Sequence, residues 1–290
     1  MSPRISVIVR SYNRIKALCE LLEVLLDQDF DSYEIIAIEQ SIEYEASDYA
    51  LLEKLAEDNK IKLFKYPPLG GPKARNKGVE HAEGEILIFV DDDDLPFSSE
   101  WISKHERAYQ DEKLVGFTGR HIGRDKDCPY LSFMRWFIRK TCMSYSFLGT
   151  PYTFAQFDED VSNVDWLHGT NSSIRRKWAL KAGLWDTSVK NQDEHSFAFK
   201  LKPYLKDGFR LDFRKEPALI RRFDIEGGMG KRKFSAKREF QNQHRYIKNI
   251  LFKYRPGLKF FYPVLLIWAC IKVGMQFTKR IFENSFIKSA

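Results

Sequence analysis

Four consecutive aspartates, Asp91 to Asp94, follow the apolar run Ile86-Leu-Ile-Phe-Val90. That run is short, wholly apolar and bounded by polar residues, as a strand buried on both faces must be. Like charges crowded at the mouth of such a strand repel one another and destabilise the fold unless solvent or a cation relieves them. Carboxylate oxygens suit a hard divalent ion, Mg²⁺ or Mn²⁺, and an ion held there can bridge to the phosphates of a nucleotide that bare carboxylates would repel. The competing reading is a solvated acidic loop leading into the next helix. Placement directly after a buried strand favours the metal.

Two more runs of the same kind must lie beside this strand. Ile5 to Val9 and Ile35 to Ile38 are almost wholly apolar, and they end in Arg10-Ser11-Tyr12-Asn13 and Glu39-Gln40-Ser41. In open α/β sheets ligands bind beyond the carboxyl ends of the strands, so the three polar clusters are expected to converge on one crevice. Between them, Ala17 to Leu26 and Ala50 to Ala56 repeat apolar residues at helical spacing, and Ile61 to Tyr66 reads as a further short strand. Pro67-Pro-Leu-Gly-Gly-Pro72 is a loop, and Lys73 to Glu83 and Trp101 to Tyr109 read as helices. Arg120 to Val164 shows no clear period and is expected to be irregular, an acceptor lobe. Trp178 to Ala182 and His195 to Leu201 are again helical.

At 290 residues and 43% hydrophobic content the chain can bury one substantial core or two fused lobes. Its cysteines, Cys19, Cys128, Cys142 and Cys270, include no close pair of the kind that builds a zinc site or a small disulfide scaffold. With a first apolar run too short for a leader, a reducing cytoplasm is the expected location. From Gly227 onward 14 Lys and Arg face 2 Glu, a balance of +12, so the rest of the chain carries −5 of the total +7. Such a tail favours an anionic partner. Within it, Phe260 to Ile271 is shorter than the roughly 20 apolar residues that cross a bilayer. Flanked by Lys259, Lys272, Lys279 and Arg280, it reads as a helix lying in a membrane surface, with a buried C-terminal helix as the alternative.

The order of these segments resembles the inverting family-two glycosyltransferases. Ser6-Val-Ile-Val-Arg-Ser-Tyr-Asn-Arg14 is similar to that family's first strand and turn, Gly70-Gly-Pro-Lys-Ala-Arg-Asn-Lys-Gly78 to its donor loop and helix, and Glu85 to Pro96 to its metal motif. The resemblance covers roughly Ile5 to Lys202. It implies a GT-A fold, that is, an α/β, Rossmann-like, mostly parallel sheet flanked by helices; the C-terminal helical, membrane-associating tail is expected from its own charge and apolar run. The catalytic domain would span 1–226, its donor half about 1–119 and its acceptor half about 120–226, with 227–290 as the basic tail.

The resemblance also implies roles. Asp91 would contact the nucleotide and, with Asp93, the metal, supported by Asp92 and Asp94. Donor contacts would come from Ser11, Tyr12, Asn13 and Arg14, from Glu39, from Asp91 and Asp92, and from Lys73, Arg75 and Asn76 in the donor loop, whose Lys73 and Arg75 offer charged hydrogen bonds to phosphate. Lys73 reads equally well as a solvated surface residue. Glu39-Gln40 stands where the family carries two aspartates, and Arg10 where it carries proline; Arg10 could face phosphates or form a structural ion pair. Inverting transfer needs a base for the acceptor hydroxyl, and Asp193-Glu194 resembles the family's acidic pair with its order reversed, so register favours Glu194, with Asp193 as the alternative. Asn191 and Glu194 also have the spacing of a helix capping box, which needs no catalysis.

Trp166, His168 and Gly169 belong to a segment similar to the one that closes on the donor sugar and the acceptor. Arg221 to Met229 is similar to a loop in which relatives carry a histidine near the diphosphate; Asp224 stands there in this chain. These parts imply transfer of a sugar from a nucleotide-sugar, UDP-linked by preference, to a hydroxyl of a glycan or lipid-linked glycan during surface-polysaccharide synthesis. The enzyme would sit peripherally at the inner membrane surface through residues 231–280. Transfer to a polyprenyl phosphate is a second reading. A binding protein for anionic membranes or nucleic acid, using Lys231-Arg-Lys233 and Lys237-Arg238, is a third; it leaves the strand-end aspartates unexplained, and no nucleic acid is expected as a partner.

Overall fold

The computed structural model describes residues 3–123, 132–189, 192–222, 225 and 235–287, with side chains up to 278. The chain divides into two compact units, Met1–Ser146 with Thr150–Gly228, and Phe147–Gly149 with Met229–Ala290.

The first unit is a mixed sheet with helices on both faces. In chain order its elements are β1 (Ile5–Ser11), α1 (Ile15–Leu26), β2 (Tyr33–Glu39), α2 (Ala46–Glu57), β3 (Lys62–Lys65), α3 (Gly71–His81), β4 (Ile86–Asp91), β5 (Asp94–Pro96) and α4 (Trp101–Ala108). There follow β6 (Leu114–Ile122), α5 (Ser132–Thr141), β7 (Val161–Ser162), β8 (Ser172–Arg175), α6 (Arg176–Lys181), α7 (Asp193–Leu201) and β9 (Arg210–Arg221). Strand order is β3-β2-β1-β4-β8-β6-β9-β5, with β7 beside β9. β3, β2, β1 and β4 run parallel; β8 joins β4 and β6 antiparallel, β6 and β9 are parallel, and β5 is antiparallel to β9.

The apolar runs of the sequence are the central strands, and their period of two divides the core. Ile8, Ile36, Ile38, Leu87 and Phe89 face one cluster, which also holds Ala74 and Val79 of α3, Ile138 of α5, Trp178 of α6 and Phe197 of α7. Ile5, Val7, Val9, Ile35, Ala37, Ile86, Ile88 and Val90 face the other, with α1, Leu52 of α2 and Trp101 of α4. Leu18, Leu21, Leu22 and Leu25 of α1 are wholly buried, each contributing about 2 kcal/mol of transfer free energy.

Register then aligns the strand ends. Arg10 lies opposite Asp91 on β4, and Ser11 opposite Glu39 on β2. The three polar clusters thus sit side by side at the carboxyl ends of three neighbouring parallel strands.

Two expectations are revised. The stretch from 120 to 164 is not wholly irregular: it contains the end of β6, β7 and α5. α5 buries Ile138 and leaves Phe133, Met134, Trp136 and Phe137 exposed, so it has no broad apolar stripe facing the core. In the second unit, α8 (Ala236–Tyr246) is capped by the Ser235 hydroxyl. It continues through a π-helical turn, Ile247–Leu251, into α9 (Phe252–Tyr254). After a 3₁₀ segment, Pro256–Phe261, comes α10 (Tyr262–Ile287) of 26 residues. The apolar stretch therefore does not stop at Ile271: Pro256–Thr278, 23 residues, is long and apolar enough to cross a membrane. Leu265, Ala269 and Val273 are buried, whereas Phe260, Ile267, Met275 and Phe277 are exposed. The basic run 231–233 lies outside the described residues.

Candidate active site

β4 delivers Asp91 to the sheet edge, and the turn into β5 fans the next three carboxylates apart. Asp91 receives hydrogen bonds from Arg10 Nε (2.8 Å) and Nη2 (3.3 Å). Asp92 turns inward with no exposed surface. It accepts from Ser11 Oγ at 2.7 Å, and the Arg14 guanidinium lies 2.7 Å from it. Arg14 Nη1 reaches Asp93 at 3.0 Å. Asp94 accepts from Thr170 Oγ1 (2.9 Å) and Arg221 Nε (3.2 Å). Thr170 Oγ1 accepts in turn from the Asp91 backbone N–H at 3.1 Å.

The repulsion anticipated in the sequence is thus relieved by Arg10, Arg14 and Arg221. Burial pushes Asp91 up, but Arg10, aided by Arg75 and Arg221, more than offsets it and holds the carboxyl at about 2. Burial prevails at Asp92, against Arg14 and Ser11, and at Asp94, against Arg221, pushing each up to about 7. Carboxylate oxygens of Asp91, Asp93 and Asp94 come within 4.8 Å of one another. A set of hard oxygen donors this close fits Mg²⁺ or Mn²⁺. Asp93 is part-exposed, with one oxygen in its ion pair with Arg14.

The second acidic pair opens α7, which starts at Asp193, two residues before the expected His195. Gln192 is the N-cap, in the left-handed region at φ 62°, and no side chain caps the helix; Asn191, the proposed capping partner, lies outside the described residues. The two acids differ in environment. Asp193 pairs with the buried Arg75 of α3, whose Nη2 also donates to Gly169 O at 3.2 Å. Arg75 is itself stacked over Trp185, 5.1 Å from the ring centre. Glu194 has no ion-pair partner among the described residues. Burial, then the charge of Asp193, push it up to about 7 against the pull of Arg75 and Arg10. A Cβ on Gly169 would lie 2.7 Å from Glu194 Oε1, so a side chain at 169 would have to displace that carboxylate. Gly169 is followed by Thr170, the residue that binds Asp91 and Asp94, and one short segment therefore links both acidic groups.

Other predicted donor residues are spread around the crevice. Tyr12 and Lys73 are exposed. Asn13, with φ 53°, accepts the Ile42 backbone N–H at 2.9 Å. Glu39 is buried and accepts the Ser41 backbone N–H, while Gln40 Oε1 accepts the Leu69 N–H at 2.9 Å and so anchors the donor loop. Asn76 clamps the backbone of Trp185 at both N–H and carbonyl. A groove of about 630 Å³, lined by Asn13, Arg14, Ile42, Tyr44 and Asp48 among others, opens beside the ends of β1 and β2. Trp166 is buried edge-on against His195. His168 meets His121, ring centres 4.6 Å apart, and burial followed by Arg221 pushes it down to about 4. Asp224 lies outside the described residues. The contacts of Thr170 and Arg221 with Asp94 escaped sequence reasoning, because Arg221 reaches Asp94 across 127 residues and no local motif announces such a pair.

The family model described as glycosyl transferase family 2 matches residues 6–182. An uncharacterized glycosyltransferase of Bacillus subtilis (strain 168), YwdF, is 36% identical over 120 residues, 39% of this chain and 44% of that protein. The poly(ribitol-phosphate) beta-N-acetylglucosaminyltransferase TarS of Staphylococcus aureus (strain Mu50 / ATCC 700699) is 32% identical over 131 residues, 41% of this chain and 22% of its own length. The match therefore spans less than half of either relative. Among solved structures, S. aureus TarS in complex with UDP-GlcNAc superposes with a TM-score of 0.58 at 17% identity, covering 86% of this chain and 66% of that one. The mannosyltransferase PcManGT from Pyrobaculum calidifontis, in complex with GDP-Man and Mn²⁺, gives 0.59 at 17% identity, covering 95% and 74%. At that identity the likeness establishes the fold.

Proposed function

The chain belongs to glycosyl transferase family 2, and from its site we propose an inverting transfer of a sugar from a nucleoside-diphosphate sugar, UDP-linked by preference, to a hydroxyl of a glycan or lipid-linked glycan. One observation carries the reading. The segment Gly169–Thr170 bonds the Asp91 backbone N–H and the Asp94 carboxylate on one side and abuts Glu194, a half-buried glutamate pushed up to about 7, on the other. A carboxyl in that state is suited to accept a proton at physiological pH.

In this reading Glu194 takes the proton from the acceptor hydroxyl as its oxygen attacks the anomeric carbon. Asp193 takes no proton; its negative charge keeps Arg75 in place and raises the basicity of Glu194. The groove beside Asn13 and Arg14 has the volume of a small-ligand pocket and receives the nucleoside. Asp93, with Asp91, would hold Mg²⁺ or Mn²⁺, which when bound supplies positive charge to the departing diphosphate. Trp166, His168 and Gly169 bound the sugar and acceptor side. Work at the cytoplasmic face of a membrane, in cell-surface polysaccharide synthesis, is supported by the +12 tail and by the exposed apolar residues of α10.

The test is calorimetric titration with a panel of nucleoside diphosphates and their sugars, with Mn²⁺ and with chelator, on wild type and Asp93→Ala. Metal-enhanced binding of one nucleotide, with the enhancement lost in the variant, is the expected result. No nucleotide binding under any condition would overturn the transferase reading. Nuclear magnetic resonance of the first-formed product then reads the anomeric configuration, and retention would exclude the single displacement.

A further inference from the structure

Arg10 ends the apolar part of β1 and faces Asp91 in the strand register. Two of its nitrogens, Nε and Nη2, are taken up by Asp91. The third, Nη1, makes no hydrogen bond among the described residues. It lies over the first residue of α3, where a Cβ on Gly71 would be 2.5 Å away. Glycine at 71 therefore makes room for the guanidinium at the head of that helix. A cation is disfavoured at this end of a helix, where the backbone dipole is already positive. Two positive features side by side, with Asp91 as the paired counter-ion, suit a further anion. The Arg10 side chain as a whole is 23% exposed.

The neighbouring acids leave this charge usable. Asp92 and Asp93 are served by Arg14, Asp94 by Arg221 and Thr170, and Asp193 by Arg75, so beyond its partner Asp91 the one acid among the described residues without an ion pair of its own whose charge bears on Arg10 is Glu194. We propose that Arg10 is a donor-binding cation whose Nη1 edge takes a phosphate oxygen of a nucleoside diphosphate while Asp91 holds the opposite edge. The protein then meets part of the diphosphate charge itself. A nucleoside diphosphate binds without a divalent ion, and the metal strengthens this affinity rather than creating it. This inference rests on the transferase reading above.

The experiment is calorimetric titration of the full chain with UDP and GDP, in excess Mn²⁺ and in excess chelator, for wild type, Arg10→Ala, Arg10→Lys and Gly71→Ala. The last variant displaces the guanidinium without removing its charge and covers the case in which Arg10→Ala fails to fold. In chelator, Arg10→Ala and Gly71→Ala should each weaken binding about 10- to 100-fold, the worth of one charged hydrogen bond. The loss should be smaller in Mn²⁺, and Arg10→Lys should recover part of it. Wild type that binds nucleotide only with Mn²⁺, or variants that bind like wild type in chelator, would overturn the role of Arg10 and leave the donor site standing. Wild type that binds no nucleotide in either medium would remove the transferase reading, and this inference with it.

Discussion

Replacing Glu194 by glutamine separates the functions of the two carboxylates at the head of α7. Glu194 is moved from an ordinary 4.5 up to about 7, by burial first and Asp193 second. A carboxyl with a raised folded-state value favours folding while it is protonated, below its unfolded value, and that contribution is lost as pH rises through about 7. At 1.36 kcal/mol per unit, the cost of ionising it is at most about 3 kcal/mol, part of which belongs to the coupling with Asp193. Glutamine carries no such cost. The variant should melt close to wild type near pH 5 and be more stable by on the order of 2 kcal/mol near pH 8.5, roughly 4–8 °C in Tm. Turnover should fall about 10²- to 10⁴-fold, the usual contribution of a general base, with donor affinity unchanged. The wild-type kcat/KM should rise with pH and level off above about 7, as the base deprotonates. Asp193→Asn should behave in the opposite way: Arg75 stays charged and buried without its counter-ion, a loss of about 3–5 kcal/mol at neutral pH. Circular dichroism melts at the two pH values and steady-state transfer assays read both effects. A Glu194→Gln protein that is destabilised at high pH, or that still transfers sugar while a folded Asp193→Asn does not, would refute the assignment and move the base to Asp193.

Further outcomes follow from the same contacts. Gly169→Ala would set a methyl 2.7 Å from Glu194 Oε1; displacement of the base by about an ångström should lower kcat about 10²-fold, measured beside an unchanged nucleotide titration. Leu22→Ala, at a wholly buried position of α1, should cost about 2–5 kcal/mol in chemical denaturation, and a loss under 1 kcal/mol would contradict the packing described. Ile267→Asp, on a residue 62% exposed in α10, should leave the stability within about 0.5 kcal/mol of wild type and reduce sedimentation with anionic vesicles; unchanged sedimentation would remove α10 from the membrane contact.

The elements that could be read from the sequence are those whose burial leaves a local pattern. β1, β2 and β4 are apolar on both faces, and α1 repeats leucines toward one core cluster. β8 is Ser-Ser-Ile-Arg, a strand whose serines are buried by its neighbours on either side, and nothing in its own four residues marks it. α10 continues past Lys272 because helix continuity depends on the backbone, while the apolar run was counted by side chains and so stopped there. The site divides in the same way. Asp91 to Asp94 announce themselves by adjacency, and the acidic pair at 193–194 by its place at a helix start. Their partners do not, because Arg75 reaches Asp193 across 118 residues and Arg221 reaches Asp94 across 127. The consequence is chemical as well as topological. A run of like charges read alone overstates the field it creates, since the fold gathers its counter-ions from remote elements. Here those counter-ions are arginines, so the case for a divalent ion rests on the three converging carboxylates and, under the proposed function, on the diphosphate, and no longer on repulsion within the run.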